Sequence, residues 1–335
     1  MKIAITGGAG FVGSHLTKAY LDAGHDVLVI DSLARGSRQD VDARARFYRL
    51  DIRDAKVQDV LRQERPDVVS HHAARSTATF PEESLLADAD VQLRGLLNVL
   101  DGCVNAFVTK LIFASNGCTL YRPVPTPRPM RHKFPIAKED ASLFPQYPND
   151  INKLAGEGYV RYYSQQYGFE HTILRYAHIY GETNRDLAQH PLTYFVDMLS
   201  RGQRPIIRES ASYVRDHIFI DDVVSANLSV LHHGRNCTMH ISTGTGYTLD
   251  QFFAAVAAQL ASDLLPVYLA SSRAEPTTIV LDNTLAQQKL CWHPQIDFAE
   301  GVQRAVEALL GQVIPSVTVE APARVRVNDA VLIHS

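Results

Sequence analysis

The first thirteen residues constrain the fold of this chain more than any other stretch. A short apolar run leads directly into Gly7, Gly10 and Gly13, and a helical pattern begins with Phe11 and Val12. In this spacing the first glycine permits a tight turn, the second lets the backbone approach a pyrophosphate, and the third lets helix and strand pack closely. The N-terminus of the helix attracts the negative charge of a phosphate. These five residues therefore predict a dinucleotide-binding turn between a strand and a helix.

An acidic residue ends the second apolar run. Asp31 stands 18 residues after Gly13, where a carboxylate can accept hydrogen bonds from the ribose hydroxyls of an adenosine. The same charge repels a 2′-phosphate, and the nearby Arg35 weakens that repulsion. The sequence therefore predicts NAD, rather than NADP, as the cofactor.

Two further segments follow predicted strands and complete the predicted cofactor site. Asp51 comes after the third strand, where its carboxylate can accept a hydrogen bond from an adenine amino group while Ile52 packs on the ring. Ala73 and Ala74, followed by Arg75, come after the fourth strand. The small side chains of the two alanines let the backbone approach the pyrophosphate.

The order of elements predicts an α/β protein with a doubly wound parallel sheet. Short β-rich runs alternate with longer helical patterns over residues 1–175, which predicts a Rossmann domain. Shorter mixed elements over residues 176–315 predict a smaller α/β lid domain, and residues 316–335 form a C-terminal tail. A segment near 214–245 is expected to return to the first domain, with residues 216–220 as the returning strand. The strands of the first domain are predicted at residues 2–6, 26–30, 47–49, 68–71, 111–114 and 171–174.

Composition argues against several classes of function. A formal net charge of −3 gives no basic field for nucleic acid, and no apolar run reaches the roughly 18 residues that a membrane span requires. The first residues carry no apolar export signal, so a cytoplasmic location is expected. The four cysteines are far apart and form no CxxC pair, which predicts free thiols and no metal site. These cysteines are Cys103, Cys118, Cys237 and Cys291.

Several segments, taken in their order along the chain, resemble the extended short-chain dehydrogenase/reductase family, in particular its nucleotide-sugar epimerases and dehydratases. Besides TGGAGFVG and Asp31, they are HAA at 72–74, LRYAHIYG at 174–181, VRDHIFIDDV at 214–223, ISTGTG at 241–246 and RAEP at 273–276. The resemblance implies bound NAD, with Tyr176 among the residues that contact it, and a nucleotide-diphosphate sugar as substrate. It also implies a homodimer built on the helices that begin near Leu93 and Asp150.

The same resemblance implies the reaction chemistry. In such enzymes a tyrosine accepts a hydroxyl proton while hydride moves to the nicotinamide, and a lysine four residues later lowers the pKa of that tyrosine. Lys153 matches the lysine, but position 149, preceded by Pro148, is asparagine. An amide has no acid or base pKa near neutrality, so Asn149 can orient a hydroxyl but cannot accept its proton. Tyr147 could take over only if the proline-interrupted segment turned it into the site.

The family also uses a serine or threonine hydroxyl beside the tyrosine. The matching stretch is FASNGCTLYR at 113–122. By resemblance Asn116 occupies the position of the active hydroxyl, whereas a shift of one residue would place Ser115 there. Losing acid–base assistance typically costs ~10²- to 10⁴-fold in rate, so weak hydride transfer is still expected if the ligands remain positioned.

On the substrate side, the resemblance implies that arginines hold the nucleotide diphosphate. Arg215 and Arg273 match those positions, because a guanidinium fork fits phosphate oxygens well. Glu275 is expected near the nucleotide ribose. His178 replaces an asparagine common in the motif, and either donates to phosphate or is a structural histidine.

Three functions remain open from the sequence. The leading hypothesis is an NAD-dependent nucleotide-sugar epimerase of the UDP-glucose 4-epimerase type, in which hydride leaves a sugar carbon and returns to its other face. The second keeps the fold but performs dehydration, decarboxylation or ketone reduction. In the third, Asn149 leaves the chain as a catalytically impaired protein that binds NAD and a sugar nucleotide.

Overall fold

The computed structural model describes most of the chain, and the predicted tail 316–335 lies outside the described residues. No helix in this described part is long and apolar enough to cross a bilayer. The described residues are 1–75, 85–122, 124–125, 136–145, 147–182, 191–207, 213–269 and 277–311.

The described residues form strands and helices in the order expected for an α/β protein. The strands are β1 (Lys2–Thr6), β2 (Asp26–Asp31), β3 (Arg46–Arg49), β4 (Val68–His71), β5 (Lys110–Asn116), β6 (Val124–Pro125), β7 (Ile136–Ala137), β8 (Glu170–Tyr176), β9 (His178–Tyr180), β10 (Ile206–Ile207), β11 (Val214–Phe219), β12 (Cys237–Ile241), β13 (Gly246–Thr248), β14 (Val267–Tyr268) and β15 (Thr277–Leu281). The helices are α1 (Phe11–Asp22), α2 (Lys56–Glu64), α3 (Leu85–Ala89), α4 (Gly95–Asn105), α5 (Pro148–Tyr167), α6 (Pro191–Ser200), α7 (Ile220–Val230), α8 (Leu249–Gln259), α9 (Thr284–Leu290) and α10 (Phe298–Gly311). A π-helical turn, Asp90–Arg94, joins α3 to α4.

The main sheet has seven parallel strands in the order β12-β8-β5-β4-β1-β2-β3. From β1 the chain first builds outward through β2 and β3, and then restarts on the other side of β1 with β4. The order therefore reverses between β1 and β4, and ligands of open α/β sheets bind at the carboxyl ends of the strands at such a point. The predicted doubly wound sheet is confirmed, with each predicted strand of the first domain present.

Helices cover both faces of this sheet. Successive side chains of a strand point to opposite faces, so neighbouring residues of one strand belong to different buried clusters. Ile3 and Ile5 of β1 belong to one buried cluster, which also contains Leu16 of α1 and Val223 of α7. Ala4 belongs to a second cluster formed with α2, α4 and α5. Both faces of the sheet are therefore buried from solvent, as is usual for a parallel sheet.

A second, smaller sheet is centred on β11, which pairs in parallel with β9 and β15 and antiparallel with β13. The expectation that residues 216–220 return to the first domain is therefore wrong. The strand that returns to the main sheet is β12, which lies within the predicted segment 214–245 and pairs with β8 at the edge of the sheet. The burial patterns explain the difference, since β11 buries mainly alternate residues whereas β12 ends in three consecutive buried ones, as a strand covered on both faces does. The division of the chain into domains at residue 175 stays a prediction.

Candidate functional site

A cavity of about 540 Å³ opens at the point where the strand order reverses. Its walls come from the glycine turn, the end of β2 and the segments that follow β3 and β4. The structure thus brings together most of the residues predicted to hold a cofactor. The predicted residues that line the cavity are Gly7, Gly10, Asp31, Asp51, Ile52, Ala73, Ala74 and Arg75.

Two glycines of the turn leave no room for a side chain. Gly7 has a φ of +75°, and a Cβ atom there would lie 2.6 Å from the backbone nitrogen of Ala73. A Cβ atom on Gly13 would lie 2.1 Å from the carbonyl oxygen of Gly7. Phe11 and Val12 begin α1, so their N–H groups belong to the first helical turn, which has no intrahelical acceptors for them. The turn therefore forms an anion cradle that fits a pyrophosphate.

Asp31 is held rigidly at the end of β2. Its Oδ2 accepts a hydrogen bond from the backbone N–H of Ala9 at 3.0 Å, and its Oδ1 accepts one from the N–H of Leu33 at 2.8 Å. Arg35 lines the same cavity. The carboxylate is thus fixed between the glycine turn and the segment after β2, where an adenosine ribose would lie.

Asp51 also lines the cavity, but it already has a cationic partner. Arg53 donates to both carboxylate oxygens of Asp51, at 2.9 and 2.8 Å, and its other nitrogen contacts Asp90 at 2.7 Å. Hydrogen bonds from Arg53 lower the pKa of Asp51. The sequence interpretation missed Arg53, although an arginine two residues after an aspartate in a turn is a signal for such a pair. An adenine amino group would share Asp51 with Arg53, while Ile52 offers a buried apolar wall.

Lys153 of α5 lies against the carboxyl-terminal part of β5. Its Nζ donates to the carbonyl oxygen of Ala114 at 2.7 Å and stands 5.1 Å from the ring centre of Phe113. Burial lowers the pKa of Lys153 to about 8, although the nearby charge of Glu157 acts in the opposite direction. A lysine in this environment is still mostly protonated at neutral pH, but it loses its proton more easily than an exposed lysine does.

Ser115 does not face the same space as Asn116, because adjacent residues of a strand point to opposite sides. Its hydroxyl donates to Glu157 at 2.7 Å, and Glu157 forms a buried ion pair with Arg175 at 2.7 Å. The Arg175 guanidinium also donates to the Tyr121 hydroxyl at 2.6 Å. The expectation that a shift of one residue would make Ser115 the active hydroxyl is therefore not supported, since Ser115 is enclosed in this buried network.

Asn116 forms a polar cluster with two residues that the sequence interpretation did not select. Its Nδ2 donates to Thr119 Oγ1 at 2.7 Å and to Asp150 Oδ1 at 2.9 Å. Asn149 is half-buried in the first turn of α5 and forms no side-chain hydrogen bond with any described residue. The sequence did offer a signal for Asp150: it stands three residues before Lys153, and residues three apart on a helix are neighbours.

The remaining predicted residues are dispersed. Tyr176 turns its hydroxyl to Asn227, which donates to it at 3.0 Å, so its predicted cofactor contact stays a prediction. His178 lies opposite His217 in the β9–β11 pairing, with 5.6 Å between their ring centres. Arg215, on the same strand as His217, donates to the carbonyl oxygen of Val214 at 2.9 Å. The other two predicted substrate residues, Arg273 and Glu275, lie outside the described residues.

Comparison with known proteins agrees with this geometry. A model of the NAD-dependent epimerase/dehydratase family matches residues 3–241. The chain is 30% identical over 305 residues to the putative UDP-glucose 4-epimerase of Methanocaldococcus jannaschii, and the match covers 91% of this chain and 97% of that protein.

Two solved structures extend the similarity to the whole fold. The UDP-glucose 4-epimerase of Thermotoga maritima with UDP-glucose superposes with a TM-score of 0.84 at 31% identity, covering 93% of this chain and 99% of that one. The UDP-glucose 4-epimerase of Thermus thermophilus in complex with NAD gives a TM-score of 0.84 at 30% identity, covering 93% and 100%. With a glycine cradle at the reversal point of a doubly wound sheet, and these matches over nearly its full length, the chain belongs to the NAD-dependent epimerase/dehydratase family.

Proposed function

We propose that this protein is an NAD-dependent nucleotide-sugar epimerase that acts on a UDP-hexose, in the manner of UDP-glucose 4-epimerase. The observation that carries the proposal is the cavity at the reversal point of the sheet, which the glycine cradle and Asp31 line, together with the position of Lys153 against β5, the strand next to β4. Family membership and the similarity to epimerases solved with UDP-glucose and with NAD support it. NAD, when bound, supplies a hydride acceptor that also returns the hydride.

The residues present fit the two ends of NAD. The anion cradle formed by Gly7, Gly10 and Gly13 suits the pyrophosphate, because it lies at the N-terminus of α1 and because Gly7 and Gly13 have no room for a side chain. Asp31 suits the adenosine ribose, and its charge disfavours a 2′-phosphate. Lys153 suits the nicotinamide ribose, because it lies on the β5 side of the reversal point.

The substrate assignments rest on the family resemblance. Arg215 and Arg273 hold the diphosphate in this proposal, Glu275 contacts the nucleotide ribose, and His178 donates to a phosphate oxygen. The lower pKa of Lys153, caused by burial, suits a group that adjusts its charge as a neighbouring hydroxyl loses its proton. Asn149 orients that hydroxyl as a hydrogen-bond partner.

The test is conversion of UDP-galactose to UDP-glucose by the purified chain, followed by proton NMR, with UDP-N-acetylglucosamine as a second substrate. Epimerisation without net consumption of NAD supports the proposal. A dehydrated or decarboxylated product, or stoichiometric consumption of NADH, would instead identify a dehydratase, decarboxylase or ketoreductase on this fold. Lys153→Met is the matched negative control, since methionine preserves the length of the side chain without its charge.

Asn149 favours one alternative of a different class. A chain without a phenol at this position could bind NAD and a sugar nucleotide without turnover. Calorimetry that shows tight binding of NAD and UDP, together with no product from any UDP-sugar, would identify such a binding protein.

We further propose that the protein is a homodimer in the cytoplasm. Ile151, Tyr159 and Tyr162 form an apolar stripe on one face of α5 and are 54%, 41% and 58% exposed. A second copy of the same helix would cover this stripe. The cysteines are free thiols, which fits a reducing compartment. Light scattering that gives a monomer at micromolar concentration would contradict the dimer.

A further inference from the structure

The reaction proposed above requires a group that accepts the proton of the sugar hydroxyl, and an amide at position 149 cannot accept it. A carboxylate stands at the next position of α5. Asp150 is only 1% exposed. It lies in the first turn of α5, three residues before Lys153.

The carboxylate of Asp150 is only partly satisfied. Its Oδ1 accepts a hydrogen bond from the Thr119 hydroxyl at 2.5 Å and one from Asn116 Nδ2 at 2.9 Å. Its Oδ2 has no hydrogen-bond partner, and it is the only buried carboxylate oxygen in the described part of the chain for which this is true. A buried oxygen without a hydrogen-bond partner is costly and requires an explanation, of which a catalytic role is one.

The other buried carboxylates in the described ranges pair with a cation or accept several hydrogen bonds. Glu157 pairs with Arg175. Asp216 accepts hydrogen bonds from three backbone N–H groups, those of Thr243, Gly244 and Leu281. Burial raises the pKa of Asp150, whereas Thr119, the nearby N–H of Tyr147 and Asn116 act in the opposite direction. A carboxyl whose pKa is above its usual range is a better proton acceptor near neutrality.

The cluster lies on the β5 side of the proposed cofactor site. Asn116 is the last residue of β5, and Lys153 is bonded to Ala114 of the same strand. Residues three apart on a helix have Cβ atoms about 5–6 Å apart, so Asp150 and Lys153 share one region of α5. Thr119 is half-buried, less enclosed than Asp150, and its hydroxyl donates to the carboxylate.

We propose that Thr119 and Asp150 form the proton relay of this protein, replacing the tyrosine hydroxyl that position 149 lacks. The inference rests on the proposed function. The O–H bond of the sugar hydroxyl breaks and its proton passes to Thr119 Oγ1, while the Thr119 proton passes to Asp150 Oδ1. The C–O bond becomes a carbonyl as the same carbon loses its hydride to NAD. Return of the hydride to the other face of the carbonyl, with the proton transfers reversed, gives the epimer and restores NAD and Asp150.

The first test compares Asp150→Asn and Thr119→Val with Asp263→Asn, which makes the same change at an exposed carboxylate of the second half of the chain. The proposal predicts that each of the first two variants lowers kcat for UDP-sugar epimerisation at least ~100-fold. KM for the UDP-sugar and Kd for NAD, measured by calorimetry, should stay within about twofold, and Asp263→Asn should retain the wild-type rate. Retention of half the wild-type kcat by Asp150→Asn would overturn the relay.

The second test separates a chemical role from a structural one. Adding Asn149→Tyr to Asp150→Asn supplies a phenol and should raise kcat at least tenfold, because the new group accepts the same proton. A purely structural defect at Asp150 would not be repaired by a phenol at position 149. Absence of this rescue in a double variant that still binds NAD would therefore contradict the proposal.

The third test needs no substrate, so it distinguishes failure of the relay from failure of the proposed function. In the ligand-free chain, carbon-13 NMR should show the Asp150 carboxyl titrating above the usual aspartate range, and Thr119→Val should raise its pKa further by removing a stabilising hydrogen bond. Titration in the usual range would refute the relay whatever the substrate. Failure to bind any UDP-sugar, or binding of both ligands without hydride transfer, would refute the proposed function instead. Epimerisation that persists in Asp150→Asn would refute the relay alone.

Discussion

Replacing Glu157 by glutamine should destabilise this protein by about 3–5 kcal/mol, the usual cost of breaking a buried ion pair by removing one partner. The side chain of Glu157 is fully buried, and its partner Arg175 is 3% exposed. Arg175 donates to both oxygens of Glu157, at 2.8 and 2.7 Å, and the Ser115 hydroxyl donates to one of them at 2.7 Å. A neutral amide would leave the guanidinium without a counter-charge in the interior. Arg161, which is 43% exposed, can turn to water and adds little.

The measurement is unfolding followed by circular dichroism. With an unfolding entropy of about 2.1 cal/mol/K per residue over 335 residues, the loss corresponds to a melting temperature lower by about 4–7 °C. Adding Arg175→Met should recover part of this loss, because it removes the unpaired buried cation. A loss of less than 1 kcal/mol for Glu157→Gln would refute the reasoning.

The same pair predicts a dependence of stability on pH. Burial alone would raise the pKa of Glu157, but hydrogen bonds and charge from Arg175 outweigh it and lower that pKa. A group with a lowered folded-state pKa contributes stability above its unfolded-state pKa and loses it as pH falls through the folded-state value. The difference in stability between the wild type and Glu157→Gln should therefore shrink below about pH 4. A difference that grows in acid would contradict the assignment.

Three further predictions concern the ligands. Gly13→Ala should abolish NAD binding in calorimetry, because the new Cβ would lie 2.1 Å from the carbonyl oxygen of Gly7; affinity within threefold of the wild type would contradict the cradle. Asp31→Asn should reduce the preference for NAD over NADP at least tenfold in competition binding, since it removes the charge that repels a 2′-phosphate; an unchanged preference would assign that role elsewhere. Asn149→Tyr alone should raise the rate of epimerisation by a smaller factor than it does in the Asp150→Asn background, because Thr119 and Asp150 already accept the proton; an equal or larger factor would contradict the relay.

The cofactor half of the protein could be predicted from the sequence because its signals are local. The spacing of Gly7, Gly10 and Gly13 and the position of Asp31 each follow from one strand and its turn, so a linear pattern is sufficient. The main strands are equally visible, since strands covered on both faces are short continuous apolar runs. The doubly wound fold is confirmed for these reasons.

The other features depend on contacts between distant segments. Asp150 and Thr119 are 31 residues apart in sequence, and neither shows its role until β5 and α5 meet. Arg175 completes the Glu157 pair across 18 residues, so the sequence could not show that Ser115 is enclosed. The sheet to which β11 belongs depends on β9 and β15, and apolar content alone does not distinguish one parallel partner from another.

The position of β12 has a consequence for how the polypeptide is made. Cys237–Ile241 supplies the outermost strand beside β8, although β8 itself ends at Tyr176. During synthesis the ribosome must add some sixty more residues before the exposed N–H and C=O groups of β8 find their partner. A nascent chain in that interval carries an open edge that can pair with another copy. Recombinant fragments that stop near residue 175 inherit the same edge, so an expression plan for the nucleotide-binding half should carry the polypeptide through Ile241.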